Sequence, residues 1–466
     1  MNNQLTERAA DNIRILSVSM VERANSGHPG GAMGGADYIN ILFTEFLNFD
    51  PDDPTWPLRD RFFMDPGHMS PMLYSVQALF GKYTIDDLMN FRQYGSHTPG
   101  HPEYDLKRGV ENTSGPLGQG HVNAIGAAIA ERFLAARFGE VIAHRTFTYI
   151  SDGGIQEEIA QGGGRIAGHL GLGNLIMFYD SNNIQLSTET KVVTSEDTAK
   201  KYEAWNWHVQ TIPGNDTNAI RQALTNAIAE KERPSLIIGK TIMGYKAVGE
   251  DGTSKERLTS THGQPLSKAG ASVERTILNI GGDPKDPFKI FPEVKEFYSQ
   301  VMDKERKGVA VRKAAFADWQ KANPGQAALW KQYQSGSAPA IDYSSIKIKP
   351  DNATRNTSGE VLEYFSKNVG NMIVMSADLS NSDKTEGFLK GSKALTKGDF
   401  TGGFLHIGVS ELTMAALANG VALHGGVMVA CGTFFVFSDF MKPSIRLAAL
   451  MQIPVKYVFT KIAITI

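Results

Sequence analysis

The chain has 466 residues, 41% of them hydrophobic and 21% charged, with a formal net charge of −2. That is the make-up of a soluble globular protein of roughly two to four domains, and it gives no electrostatic case for nucleic acid. One cysteine, Cys431, permits no intrachain disulfide, and the N-terminus lacks the apolar core of a signal peptide, so a cytoplasmic protein is expected.

Leu5, Ala9, Ile13, Leu16 and Met20 fall at helical spacing. The following SGHPGGAMGGAD reads as a turn carrying His28, too rich in Gly and Pro for regular structure. A short apolar strand in RDRFFM leads to His68. His97 and His101 follow in GSHTPGHPE, and residues 115–120 form a Gly-rich loop. Taken singly, these histidines read as turn residues bonded to backbone. Histidine is also the side chain best suited to acid–base work near neutral pH.

The chain is organised around residues 149–184. A β-prone run ends in Ser151-Asp152-Gly153-Gly154, a helix is expected over 155–169, and a buried strand over 175–179 ends in Asp180-Ser181-Asn182-Asn183. Strand, turn, helix and strand make a βαβ unit with parallel strands. Asp152 and Asn182 then sit past the carboxyl ends of neighbouring strands, the edge at which open α/β sheets bind ligands. Carboxylate, amide oxygen and loop carbonyl suit Mg²⁺ or Ca²⁺ with positions left for phosphate oxygens. Gly153 and Gly154 let amides approach an anion at a helix N-terminus. An ordinary βα turn with a capping Asp accounts for the same residues equally well.

Beyond it, strands are expected at 207–212 and 235–240, with a helix over 216–231 capped by Asn215 or Asp216. A long polar connection, 240–265, holds His262, and long loops in compact domains are usually functional or mobile. Residues 292–333 are charged and helical in pattern, and a linker begins at Ser335. A second α/β unit follows: a helix over 352–369, a strand at 371–375 leading to Asp378, and an apolar run at 404–408 leading to Glu411 at a helix start. The uncharged stretch 414–437 has the length of a membrane span, but Asn419, His424, Gly425, Gly426 and Gly432 interrupt it. A helix, a turn and a strand at 427–430 explain it better, so no membrane is expected. Phe434, Phe435, Phe437 and Phe440 cluster after that strand, and a last strand is expected at 455–459.

Nine motifs, in this order, resemble transketolase, a thiamine diphosphate enzyme: SGHPG, DPGHMSPMLY, FRQYGSHTPGHPE, TSGPLGQG, SDG…NN, THGQPL, SADLSNS, GVSELTM and TFFVFSDF. The resemblance implies an α/β thiamine diphosphate-binding fold of parallel sheets flanked by helices, in two consecutive domains. These are a diphosphate- and metal-binding domain at 1–334 and, after a linker at 335–350, a pyrimidine-binding domain at 351–466. It implies that Asp152, Asn182 and the Ile184 carbonyl hold Mg²⁺ (or Ca²⁺ or Mn²⁺), with Gly153 at the diphosphate. Gly115 and Leu117 would meet the aminopyrimidine, Asp378 and Leu379 would line the cofactor pocket, and Phe434, Phe437 and Phe440 would wall it. Glu411 would be the essential carboxylate on the pyrimidine nitrogen. His28, His68, His101 and His262 would surround the substrate and reacting carbon, and Arg355 and Ser382 would hold the sugar phosphate. In the family the cofactor lies between two subunits, so a homodimer acting on sugar phosphates is implied.

The pattern departs from the family in places. Ser151 stands for a glycine, Gly162 for a second glutamate, and Ser410 and Leu412 flank Glu411 in place of Arg and His. The triple Gly162-Gly163-Gly164 would weaken a helix by about 1 kcal/mol per Gly relative to Ala, which points to close packing or a local distortion. After Thr460 the sequence leaves the family pattern, and the second domain is expected to be incomplete, the third absent, and activity weakened or lost. A related thiamine diphosphate synthase, or a non-catalytic cofactor-binding fragment, are the alternative expectations.

Overall fold

The computed structural model describes residues 3–337 and 339–461 and builds them into two parallel sheets. In chain order the first part comprises α1 (Asn3–Arg23), α2 (Pro29–Ile41), β1 (Arg61–Met64), α3 (Ser70–Leu79), α4 (Ile85–Met89), α5 (Gln119–Phe138), β2 (Thr146–Ser151), α6 (Asp152–Gln156), α7 (Glu158–Leu170), β3 (Leu175–Asp180), α8 (Thr198–Ala204), β4 (His208–Pro213), α9 (Thr217–Ala229), β5 (Ser235–Lys240), α10 (Val273–Asn279), α11 (Pro292–Ala322) and α12 (Pro324–Gln334). The second comprises α13 (Thr354–Asn368), β6 (Met372–Ser376), α14 (Ser380–Asp383), β7 (Phe404–His406), α15 (Glu411–His424), β8 (Met428–Phe434), α16 (Ser438–Met451) and β9 (Lys456–Thr460). The strand orders are β1-β2-β3-β5-β4 and β7-β6-β8-β9. Residues 462–466, all but the first of the stretch after Thr460 expected to leave the family pattern, lie outside the described residues, as does Ala338 in the stretch between the sheets.

The βαβ reading holds. β2 pairs β3 in parallel from Thr146 opposite Leu175 to Ser151 opposite Asp180. Every residue of both strands is buried, as expected of strands covered on both faces. The uncharged 414–437 stretch is helix α15, a turn and strand β8, and no helix among the described residues is long and apolar enough to cross a membrane.

Three local expectations need correction. SGHPGGAMGGAD is not a turn throughout: His28 is the N-cap of α2, with Pro29 in its first turn where a missing N–H costs nothing. Its glycines are there for contact. A Cβ on Gly30 would lie 2.3 Å from the Thr261 carbonyl oxygen, and one on Gly35 2.3 Å from the Tyr149 hydroxyl. The helix expected over 155–169 begins at Asp152 and breaks at Glu157, whose backbone turns extended. The strand expected at 427–430 runs on to Phe434. The Gly162–Gly164 run stays helical and packs closely: Cβ atoms there would meet the Thr413 hydroxyl at 2.2 Å, Val122 at 2.8 Å and the Trp205 ring at 2.8 Å.

The two sheets are joined where α5 crosses α15 with backbones in contact. A Cβ on Gly126 would sit 2.1 Å from the Leu417 carbonyl oxygen, and one on Gly420 1.9 Å from that of Asn123. The largest hydrophobic core runs continuously through this crossing, from β2 and β3 to β6 and β8.

Candidate active site

The carboxyl ends of β1, β2 and β3, with the loop after β5, open on one cavity of about 490 Å³. Its wall includes His28, His68, His101 and His262 together with Gly115, Leu117, Asp152, Gly153, Asn182 and Ile184. Residues from seven separate stretches of the sequence are thereby brought together. The ring of His28 lies 5.0 Å from that of His68 and 5.7 Å from that of His262, and His68 and His262 are 5.5 Å apart. Burial pushes the pKa of His28 and of His262 down to about 4 and that of His68 well below the usual range. For His28 and His68, the neighbouring histidines add to the effect. All three are neutral imidazoles near pH 7, each offering one donor and one acceptor. The Nδ1 atoms of His28 and His262 are buried without a hydrogen-bond partner among the described residues, so they have bonding capacity in reserve.

Asp152 follows β2 directly. Its carboxylate accepts hydrogen bonds from the Tyr179 hydroxyl at 2.5 Å and from the Asn183 amide at 2.8 Å. The Asn182 side chain is set by Asp180, which accepts from its Nδ2 at 3.1 Å, while its Oδ1 accepts from the Ile184 amide at 3.0 Å. Asp180 is itself fixed by the Tyr149 hydroxyl at 2.7 Å and by Thr241. Burial pushes the Asp152 carboxyl up to about 7, against the hydrogen bond from Tyr179. A carboxylate, an amide oxygen and a carbonyl on one rim are hard donors for a divalent cation, which would offset that burial. A Cβ on Gly153 would touch only Leu117, at 2.9 Å, so the space above the turn is open to an anion. The residues fit a metal-bound diphosphate.

Glu411 opens on a different cavity, of about 590 Å³, lined by Leu379, Val409, Phe437 and Phe440 and, from the start of α7, Glu158 and Ile159. Glu411 is the first residue of α15, and Thr433 donates to it at 3.5 Å. Phe434 stacks on Phe437 with ring centroids 6.0 Å apart, and Phe437 tilts against Phe440 at 6.1 Å. Asp378 is exposed with a left-handed backbone, φ 64°. Arg355, in the first turn of α13, and Ser382, in α14, are half-buried and line neither cavity. Within one chain, therefore, the histidine and Asp152 group and the Glu411 group are not brought together.

Sequence reasoning missed several participants. Tyr179 reads as part of an apolar strand, yet its hydroxyl holds Asp152. Arg92, with φ 63°, is half-buried and bonded to Ser26, and its charge helps lower the pKa of His28 and of His101. Asp65 and His121 form a buried pair beneath the Gly115 loop. The signal available was a lone Asp before the Gly67-His68 turn.

Two family models cover the chain: "Transketolase, thiamine diphosphate binding domain" matches residues 5–339 and "Transketolase, pyrimidine binding domain" matches residues 351–466. The transketolase of Halalkalibacterium halodurans is 40% identical over 475 residues, covering 100% of this chain and 70% of that protein. Transketolase 2 of Escherichia coli is 40% identical over 461 residues, covering 95% of this chain and 67% of its own length. Among solved structures, transketolase from Leishmania mexicana superposes with a TM-score of 0.92 at 32% identity, over 97% of this chain and 68% of that one. The Campylobacter jejuni enzyme gives 0.85 at 34% identity, over 98% and 70%. With one family model matching residues 5–339, another matching residues 351–466, and a transketolase 40% identical over the whole chain, the chain belongs to the transketolase family.

Proposed function

We propose that two copies of this chain transfer a two-carbon ketol unit from a ketose phosphate such as xylulose 5-phosphate to an aldose phosphate such as ribose 5-phosphate, a step of the pentose phosphate pathway. The observation that carries this reading is the separation of complementary half-sites: metal and histidine groups on one cavity, Glu411 and its aromatic wall on another. A second copy turned about a two-fold axis would close each half with its complement. Val409 and Phe440 are 79% and 59% exposed and line the Glu411 cavity, an apolar rim that a partner would cover. In this arrangement domain 1–334 of one copy faces domain 351–466 of the other. A cytosolic setting goes with the single cysteine, Cys431, a free thiol buried in β8.

Asp152, Asn182 and the Ile184 carbonyl would hold Mg²⁺ (or Ca²⁺ or Mn²⁺) on the diphosphate, with the amide of Gly153 beside it. Gly115 and Leu117, with Asp378, Leu379, Phe434, Phe437 and Phe440 of the other copy, would enclose the ring system. Thiamine diphosphate, when bound, supplies a nucleophilic thiazolium carbon and the electron sink for carbon–carbon cleavage. Glu411 would form a charge-assisted hydrogen bond to the pyrimidine nitrogen and fix its tautomer. Cleavage between C2 and C3 of the ketose releases the proton of the C3 hydroxyl, and a neutral histidine of the His28, His68, His101 and His262 group would take it. When the new bond forms at the acceptor's aldehyde carbon, the same group would return a proton to the aldehyde oxygen. Arg355 and Ser382 would anchor the phosphate. The test is formation of glyceraldehyde 3-phosphate by the purified chain supplied with cofactor, Mg²⁺ and both sugars. Cofactor binding without turnover would instead favour a non-catalytic binding protein.

A further inference from the structure

Asp65 lies immediately after β1, three residues before His68, and is fully buried. Among the described residues its carboxylate forms no ion pair with a Lys or Arg. One oxygen accepts from the Gly118 amide at 3.1 Å, and the other from the His121 amide at 3.2 Å and the His121 ring Nδ1 at 3.1 Å. Gly118 is the N-cap of α5 and has no side chain of its own to cap with, so Asp65 performs that task from another segment. His121 is 1% exposed, and its Nε2 has no hydrogen-bond partner among the described residues, so Asp65 is its one side-chain anchor.

Close glycine contacts surround Asp65 and the turn that follows it. A Cβ on Gly154, two residues past Asp152, would lie 2.4 Å from Asp65 Oδ2. One on Gly120 would lie 2.7 Å from the Asp65 Cα. One on Gly67 would lie 2.8 Å from the Gly115 amide nitrogen, pressing the Asp65–His68 turn directly on the loop that carries Gly115 and Leu117. Gly118, with φ 88°, holds that loop in a conformation other residues resist.

We propose that Asp65 and His121 are positioning residues for thiamine diphosphate: the pair fixes the 115–118 loop against the Gly153-Gly154 turn, so that backbone atoms of Gly115 and Leu117 are set for the aminopyrimidine before it arrives. The inference rests on the transketolase reading of this cavity. A pre-ordered loop costs less to immobilise on binding, so breaking the pair appears first as lost cofactor affinity.

The test is the dissociation constant of thiamine diphosphate with Mg²⁺, by calorimetry, without sugar substrate, alongside the melting temperature of the cofactor-free protein. Asp65→Ala and His121→Leu are expected to weaken binding tenfold or more at a temperature where both variants are fully folded. His121→Asn, which keeps a donor near the Nδ1 position, is expected to return affinity to within about threefold of the wild type. Unchanged affinity in His121→Leu, with only a lower melting temperature, would make the pair a plain helix cap and overturn the proposal. Equal losses in His121→Leu and His121→Asn would overturn it too. If Asp65→Ala does not fold, the two His121 variants decide alone. A wild-type chain that binds no cofactor would instead refute the reading of the cavity on which the proposal stands.

Discussion

His144 and His424 stack across the junction of the two sheets, with ring centroids 5.1 Å apart and Nε2 atoms 3.0 Å apart. Each Nδ1 faces a backbone carbonyl, that of Ile142 at 3.0 Å and that of Gly425 at 2.8 Å, so both protons sit there and the two Nε2 lone pairs face each other. Arg61, fully buried, donates to His144 Nε2 and to the His424 carbonyl. The contact ties the end of α15 to the approach to β2.

Burial and Arg61 push both histidines well below their ordinary pKa of 6.5. The unfolded chain therefore takes up protons near pH 6.5 while the folded one does not. The stability this provides is complete above pH 6.5 and is lost as pH falls toward the folded values. Urea unfolding is expected to show stability falling between pH 7 and pH 5 with a slope of up to about 1.4 kcal/mol per pH unit for each histidine. The double variant His144→Asn/His424→Asn is expected to show a flatter dependence. An equal slope in both proteins would remove these two rings as its source.

The α5–α15 crossing leaves no room for a methyl group. Gly126→Ala and Gly420→Ala each drive a Cβ into a backbone carbonyl oxygen, so each is expected to lower stability by about 1–3 kcal/mol, read as a lower denaturation midpoint. Gly308→Ala, in a helix with open space around it, is expected to be neutral or slightly stabilising. Equal tolerance at all three sites would contradict the close crossing.

Asp152 depends on Tyr179 for orientation. Tyr179→Phe removes one hydrogen bond to a charged group, a loss of about 1.5–3 kcal/mol, and is expected to weaken Mg²⁺-dependent cofactor binding by one to two orders of magnitude. Asp152→Ala is expected to abolish that binding, and EDTA to release cofactor from the wild type. Retention of cofactor by Asp152→Ala in calorimetry would rule out its place at the metal.

What the sequence revealed and what it hid follow from the same physics. Strand ends were legible because buried parallel strands are apolar runs that stop at Asp-Gly or Asp-Ser-Asn, and this placed Asp152 and Asn182 side by side. Helix α2 was not legible, because Gly lowers helix propensity while Gly30 and Gly35 serve tertiary contacts that no local pattern records. Asp65 and His121 lie 56 positions apart, and only the fold brings them into contact. The division of the site between two cavities is likewise a property of domain packing, which hydrophobic periodicity does not encode.

The central claim is that one active site is built from Asp152 of one copy and Glu411 of another, and subunit mixing tests it most directly. Asp152→Ala and Glu411→Ala should each be inactive in ketol transfer under conditions where the wild type turns over. After subunit exchange between equal amounts of the two, half of the dimers carry one intact site, and about one quarter of the wild-type rate is expected. A mixture as inactive as its components, with the wild type active and exchange verified, would contradict the shared site, and a wild type without turnover would contradict the proposed activity itself.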